Sequence, residues 1–486
     1  MRYISTRGSA PALGFADALL TGLARDGGLY VPEAWPALAP EDIRALAGLP
    51  YWQAALGVLT LFCRPDIPEA DLARMTRDAY AGFRHAAVAP LVQIGPRHFV
   101  LELFHGPTLA FKDVAMQWLA RVMDHVLTRR RERVVIVGAT SGDTGGAAIE
   151  AFRGLGAADV FILFPHGRVS EVQRRQMTTV GAPNVHAIAV EGTFDDCQAI
   201  VKGLFNDLAF RDHWGLSGVN SINWARLAAQ TVYYVTAAAA LGAPARPVAF
   251  SVPTGNFGDV FAGYAAARMG LDVARLIVAT NVNDILARCL ATGRYELRPV
   301  VPTQSPSMDI QVSSNFERLL FEAHHGDGAA VAALMHDLAH ATALSRPAWA
   351  SISRATAARS FGSTAKRSSR SKRSARCGGS AGLTPVAAAT ASGNLAGCAV
   401  ASVTTGTAGS RDPSSRPAAA TPTAECGSSR YPLSAWTRRM VSAVSDSSAR
   451  CAAKRPRIEA SAGSASEKAR SRARSCISAA TAAPSP

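Results

Sequence analysis

An α/β fold with mostly parallel sheets and helices on both faces is predicted for residues 1–345, and a disordered low-complexity basic tail for 346–486. Three observations lead there. From about residue 95, short runs rich in Val, Ile and Phe alternate with amphipathic stretches of helical length, the pattern of parallel strands joined by crossover helices. Gly-rich turns fall where several of those strands end, the usual location of a ligand in such a sheet. Beyond residue 345 the composition changes abruptly and no longer supports a packed core.

The chain opens MRYISTRGSAPALGFADALLTGLARDGGLYVPEAWP. Phe15, Leu19, Leu20 and Leu23 share one helical face, and Asp26-Gly-Gly turns the chain into a short strand, Leu29-Tyr-Val, that Pro32 stops. Residues 36–90 are mostly helical, with apolar faces around Leu46, Trp52 and Phe62. His98–Phe104 is expected as a buried strand, followed by a Gly106-Pro107 turn. Val114, Trp118, Leu119, Val122, Met123 and Val126 then recur at helical spacing.

The alternation proper follows. Arg133–Val137, Val160–Phe164, Val185–Val190, Val248–Val252 and Leu276–Ala279 are expected strands, with the turn Thr254–Asp259 between the last two. Helices are expected up to Phe152, around Glu171–Met177, from Asp195 to Phe205, from about Trp224 to Leu241, and up to Met269. The apolar run Tyr233–Leu241 is soon ended by Gly242 and Pro244, so it is the end of a buried helix. No apolar run reaches transmembrane length, and the N-terminus lacks a basic-then-apolar signal layout.

The 486 residues carry a net charge of +15, but the charge is not spread evenly. Residues 351–486 hold 21 of the 51 Lys and Arg and only 5 of the 36 Asp and Glu, a net of +16. Residues 1–350 are nearly neutral. Leu, Ile, Val and Phe together number 12 among those last 136 residues, and runs such as Arg367-Ser-Ser-Arg-Ser-Lys-Arg have no period of 2 or 3.6. The change is read as translation of a GC-rich gene in a shifted frame; the competing reading is a real basic tail with nonspecific nucleic-acid affinity. Cys63, Cys197 and Cys289 precede the change, and Cys377, Cys398, Cys426, Cys451 and Cys476 follow it. Neither set has the spacing of a zinc site or a disulfide framework, so no metal is expected and a reducing cytoplasm fits.

Four segments carry the chemistry. Lys112 sits at the mouth of a helix, walled by Phe111 and the Gly106-Pro107 turn. Partial desolvation there favours the neutral amine that attacks carbonyls, although a lysine in a first helical turn can equally be an ordinary solvated one. Val137–Gly146, VGATSGDTGG, leaves a strand and opens a helix, so its amides can bind an anion; Ser141 or Asp143 acting as a plain N-cap is the competing reading. It is not a Walker loop, because no Lys follows the Gly pair. In Pro253-Thr-Gly-Asn-Phe-Gly-Asp259, Gly255 and Gly258 let the backbone approach a phosphate, but the spacing is not that of a dinucleotide fingerprint. Asn220-Ser-Ile-Asn-Trp-Ala-Arg226 offers Asn223 and Arg226 to a phosphate, with helix capping by Ser221 as the alternative. His105 either points toward the same region or closes the turn.

His105–Asp113, HGPTLAFKD, resembles the lysine motif of the threonine synthases, which depend on pyridoxal 5'-phosphate (PLP). The opening Tyr3-x-Ser-Thr-Arg-Gly with Leu19-Leu-x-Gly-Leu-Ala-x-Asp-Gly-Gly-Leu-Tyr-Val-Pro is similar to the start of that family and separates it from other PLP enzymes of the same fold. The resemblance implies a PLP fold type II chain with a family-type N-terminal segment at 1–90 and a catalytic α/β region at 91–345. It implies that Lys112 carries the cofactor and moves protons, and that Gly255, Asn256, Phe257 and Gly258 cradle its phosphate. Ser141, Gly142, Asp143 and Thr144 would grip a substrate carboxylate, and Asn223 or Arg226 the substrate phosphate. The implied reaction converts O-phospho-L-homoserine and water to L-threonine and phosphate. A dehydratase or β-replacement enzyme of the same fold is the alternative. The resemblance stops near residue 345, where the family continues with ordered structure that contacts the pyridine nitrogen, which puts full activity in doubt. Neither a membrane nor a specific nucleic-acid partner is expected, and oligomeric state is left open.

Overall fold

A computed structural model describes residues 1–340 and 343–344; the expected tail at 346–486 lies outside the described residues. At the N-terminus β1 (Tyr3–Ser5) pairs antiparallel with β2 (Tyr30–Pro32) across α1 (Phe15–Thr21). The helix ends at Gly22, whose φ of 65° lies in the region a side chain disfavours, so Leu23 falls past the helix on whose face it was expected. Asp26 explains the recurring letters of this opening. Its carboxylate accepts from Ser5 Oγ at 2.8 Å, Gly28 N at 2.9 Å and Ala10 N at 2.9 Å. The Ser-Thr-Arg-Gly and Asp-Gly-Gly stretches are thus two sides of one hydrogen-bonded knot.

The helices α2 (Pro40–Ala45), α3 (Tyr51–Cys63) and α4 (Glu69–Tyr80) follow as expected for 36–90. The next segment departs from expectation. His98–Phe104 is not one buried strand; β3 (Leu91–Gly95) and β4 (His98–Leu101) form an antiparallel hairpin that leaves Val92 and Ile94 exposed. The strand stops at Leu101 because the chain must turn into the Gly106-Pro107 corner. That corner delivers α5 (Lys112–Arg130), whose apolar residues are buried nearly all round, as in a helix packed on more than one side.

A four-stranded parallel sheet then forms in the order β7–β6–β5–β8. Its strands are β5 (Val134–Ala139), β6 (Ala158–Pro165), β7 (Val185–Val190) and the short β8 (Leu216–Ser217), linked by α6 (Asp143–Phe152), α7 (Glu171–Thr178), α8 (Phe194–Asn206) and α9 (Leu208–Trp214). Strand alternation sends its two faces to two different cores. Val134, Ile136, Val160 and Ile162 pack into the main core with Ile149 and Phe152 of α6. Val135, Val137, Phe161 and Leu163 pack against Cys197, Ile200 and Leu204 of α8. Both faces are covered, as the continuous apolar runs required.

The chain continues through α10 (Trp224–Ala240), β9 (Val248–Pro253), α11 (Gly258–Arg268), β10 (Val273–Ala279) and α12 (Ile285–Thr292). β9 and β10 form a separate parallel pair, and the expected turn at Pro253–Asp259 is the loop between β9 and α11. α10 is buried along almost its whole length and joins the helical layers. β11 (Tyr295–Glu296), α13 (Phe316–Ala323), α14 (Gly328–His340) and β12 (Ala343–Leu344) complete the described chain, with β11 and β12 antiparallel. Among the described residues no helix is long and apolar enough to cross a membrane.

Candidate active site

A cavity of about 610 Å³ opens where β5 and β9 end and where α5, α6, α8, α10 and α11 begin. Carboxyl ends of parallel strands and N-termini of helices converge there, so backbone donors and positive helix ends face one space. Lys112, Ser141, Asp143, Thr144, Arg226, Gly255, Asn256 and Gly258 all line it.

Lys112 is 9 % exposed. Its Nζ lies 2.6 Å from Asp143 Oδ2 and 4.5 Å from the centre of the Phe111 ring. The turn that presents it is fastened from the next residue along. Asp113 accepts from Thr108 N at 2.8 Å and Thr108 Oγ1 at 2.7 Å. Gly106 must be glycine here, since a Cβ would lie 2.4 Å from that of Asp113. Burial pushes the Asp113 carboxyl up to about 6, against the Thr108 hydrogen bonds that favour its charge. His105 closes the turn and does not line the cavity: Nε2 meets Glu102 Oε2 at 2.8 Å, and its ring packs on His85 and Phe104.

The loop after β5 departs from both earlier readings of it. Neither Ser141 nor Asp143 caps α6; the N-cap is Gly142, with φ of 145°. Thr140 Oγ1 accepts from Gly142 N and Gly145 N, and Asp143 Oδ1 from Thr144 N at 2.8 Å. Several amides expected to hold an anion are therefore already used. Gly142 stands behind the cavity wall, where a Cβ would collide with the Gln173 amide at 2.2 Å.

The turn after β9 is arranged the opposite way. Its carbonyls point outward: Gly255 O accepts from Ser313 Oγ at 2.6 Å, Asn256 O from Asn315 N at 3.0 Å, and Phe257 O from Phe261 N at 3.0 Å. The amides of Gly255, Asn256, Phe257 and Gly258 donate to no described residue. Four successive free donors at a helix N-terminus make an anion cradle. Phe257 holds the turn with φ of 65°, its ring turned into the core against Phe316 at 5.2 Å. Its side chain is therefore an anchor rather than part of the cavity wall. A Cβ on Gly255 would stand 3.1 Å from Met308 Cα and 3.2 Å from Ser307 O, which are backbone atoms with little room to yield.

Arg226 and Asn223 separate. Asn223 is fully buried and is the N-cap of α10, accepting from Ala225 N and donating to Leu19 O at 2.9 Å and Gly218 O at 3.1 Å. Its amide is spent on structure and does not line the cavity, so it is not available to a phosphate; nor does Ser221 cap the helix. Arg226, one turn into the helix, reaches the cavity. It donates from Nη1 to Val219 O at 3.3 Å, while its buried Nε has no partner among the described residues. Burial pulls its guanidinium down to about 10, opposed by the Asp143, Tyr233 and Asp259 charges. A buried cation with unspent donors is costly without an anion.

The sequence reading missed several wall residues. Asp259 is half-buried beside the cradle, its carboxyl pushed up by desolvation and held by Thr254 Oγ1 and Val260 N. Gln230 follows Arg226 by one helical turn and lines the cavity, with Oε1 unpartnered among the described residues; its spacing from Arg226 was the available signal. Residues from Leu297 to Val312 form the facing wall. This loop is organised by Asp309, which accepts from Asn281 Nδ2 at 2.7 Å, Thr303 Oγ1 at 2.7 Å and Thr303 N at 2.7 Å. Such a loop has no periodicity by which to find it.

These residues fit PLP. An amine at the cavity floor suits its carbonyl carbon, and a cradle of free amides, which a Cβ at Gly255 would obstruct, suits its phosphate. Fold and site together define a PLP-dependent α/β enzyme. Residues 87–364 match the model of the pyridoxal-phosphate dependent enzymes, and residues 2–80 that of the threonine synthase N terminus. The chain is 60 % identical over 335 residues to threonine synthase of Pseudomonas aeruginosa, covering 69 % of this chain and 71 % of that protein. The PLP-bound threonine synthase structure from Brucella melitensis superposes with a TM-score of 0.70 at 63 % identity, covering 73 % of this chain and 77 % of that one. For the yeast threonine synthase structure the values are 0.68 and 40 %, with 74 % and 75 % covered. The chain belongs to the threonine synthase family.

Proposed function

We propose that this cavity converts O-phospho-L-homoserine and water to L-threonine and phosphate, with PLP held by Lys112 and by the amides of Gly255, Asn256, Phe257 and Gly258. The observation that carries this reading is a second anion site in the same cavity. Arg226 offers a buried, incompletely bonded guanidinium distinct from the amide cradle. With the substrate carboxylate taken by Ser141 and Thr144, a cofactor phosphate and a substrate phosphate need two further places, and a dehydratase acting on an unphosphorylated amino acid needs one.

Bound PLP supplies an electron sink for carbanions formed next to the substrate nitrogen. The chain's own residues supply the rest. With the cofactor bound, Lys112 Nζ would carry protons to and from the substrate carbons. Asp143, 2.6 Å away, holds and orients the ammonium between transfers. Arg226 neutralises the phosphate as it leaves, and fixes which end of the substrate enters first. Ser141 and Thr144 line the cavity beside Lys112 and offer hydroxyls to the substrate carboxylate. A cytoplasmic location fits the buried free thiols of Cys63, Cys197 and Cys289.

Product analysis with O-phospho-L-homoserine tests the reaction: threonine and phosphate in equal amounts are expected, whereas 2-oxobutyrate as the main product would reassign the enzyme as a dehydratase. Borohydride reduction of the PLP-loaded protein should leave its adduct on the peptide containing Lys112. An adduct that persists elsewhere in Lys112→Ala would remove Lys112 from the centre of the site.

A further inference from the structure

We infer that Arg318, outside the cavity, is a positioning residue that sets the spacing between the two anion sites and makes the N-terminal segment part of the active site. The inference rests on the placement of the cofactor phosphate at Gly255–Gly258 and the substrate phosphate at Arg226.

Arg318 is fully buried, and its bonds go to two distant segments and to the start of its own helix. Nε donates to Tyr30 O of β2 at 3.1 Å, Nη2 to Ile222 O at 2.6 Å, and Nη1 to Asn315 Oδ1. Its guanidinium also lies over the Trp224 ring, 5.6 Å from the centre. Each acceptor leads somewhere functional. Ile222 lines the cavity and immediately precedes the Asn223 cap that starts the helix of Arg226. Asn315 N holds Asn256 O, turning the cradle's amides inward. Tyr30 belongs to the knot at the chain's start. That knot is joined to α13 a second time through Glu317, which accepts from Arg7 Nε and Nη2 at 3.1 Å each and from Thr6 Oγ1 at 2.6 Å. One planar cation thus fixes both phosphate-binding loops against the N-terminal strand, and a fork of several donors is needed to do so. No carboxylate accepts a hydrogen bond from it among the described residues, so its charge is spent on carbonyl oxygens and the indole ring.

The test uses the full chain with Arg318→Met and Arg318→Lys. A core variant away from this network, Leu72→Ala on α4, is the stability-matched control. PLP affinity of the cofactor-free protein, substrate KM and melting temperature are measured for each. A displacement of about 1 Å costs on the order of 100-fold in function. Arg318→Met should therefore weaken PLP binding and raise KM for O-phospho-L-homoserine together, each by roughly 10- to 100-fold. Arg318→Lys should restore only part of either, since one ammonium cannot reach three acceptors that a guanidinium fork spans, and it stands in as the readable variant if Arg318→Met fails to fold. Leu72→Ala should melt lower with both constants unchanged. Wild-type constants in both Arg318 variants would overturn the inference, as would equal losses in Leu72→Ala at the same melting temperature. A wild-type chain that takes up no PLP, or fixes it away from Lys112, fails in a different way: it overturns the site assignment first and this inference with it.

Discussion

At the scale of single residues, Asp143 shows how a motif's letters and its geometry can point to different work. The resemblance put it among the groups that grip a substrate carboxylate, yet two like charges in a shielded cavity repel. Its oxygen lies 2.6 Å from Lys112 Nζ instead, which makes it the lysine's partner. Asp143→Asn should keep PLP attached to Lys112 but lower the single-turnover rate by about 100- to 1000-fold, within the range for lost acid–base assistance. Unchanged turnover with a raised KM would return Asp143 to carboxylate binding. Asp113 carries a pH consequence. Its folded-state value of about 6 is raised by burial above the ordinary carboxylate range. The folded protein therefore binds this proton more tightly than the unfolded one. The associated stability is present at low pH and lost as pH rises from about 4 through 6, by roughly 3 kcal/mol in total. Urea unfolding across that window should show a fall that Asp113→Asn lacks; parallel profiles would show that the carboxyl is not perturbed.

The turn between β9 and α11 is the element on which cofactor retention depends. Two of its carbonyls are held from outside by Ser313 and Asn315 and a third begins the α11 ladder at Phe261, which leaves its amides free of any described acceptor. Gly255→Val must push against the backbone of Ser307 and Met308. PLP affinity should drop by at least about 10-fold, from a displacement of under 1 Å, with little change in the substrate's KM once the site is saturated. Equilibrium binding to the cofactor-free protein reads this directly, and a wild-type constant would place the phosphate elsewhere. The start of α10 behaves differently. Asn223→Ala removes an N-cap and the bonds to Leu19 and Gly218, and should lower unfolding stability by about 1–2 kcal/mol. Arg226→Lys should instead raise KM for the phosphorylated substrate while leaving the melting temperature nearly as it was. If Asn223→Ala changes substrate affinity alone, its amide reaches the ligand after all.

Across the whole molecule, the first thirty residues are tied to α13, nearly three hundred residues later. Glu317 is 4 % exposed and is held by both Arg7 and Thr6. Glu317→Gln leaves the partly exposed Arg7 without its counter-charge and should cost about 1–3 kcal/mol. Calorimetry should show a lower melting temperature, and limited proteolysis should cut first near the N-terminus; an unchanged melt would mean the pair is only a surface ornament. The alternation of apolar runs with helical stretches determined the α/β class, because period and composition are local properties. The same locality made Lys112 and the glycines of the 253–259 turn visible: one motif spans nine consecutive residues, and a turn announces itself by residues that tolerate close backbone approach. The sequence also carried the N-terminal knot as a pattern of letters, without its meaning. What only the tertiary structure decided are matters of direction and partnership. Asn223 and Arg226 lie three residues apart, yet the helix start sends one into the core and the other to the cavity. Asp143 acquires its role from a lysine thirty-one positions away. Arg318 acquires its role from Tyr30 and Ile222, segments that only folding brings within reach of one guanidinium, and no period in a linear chain records that meeting.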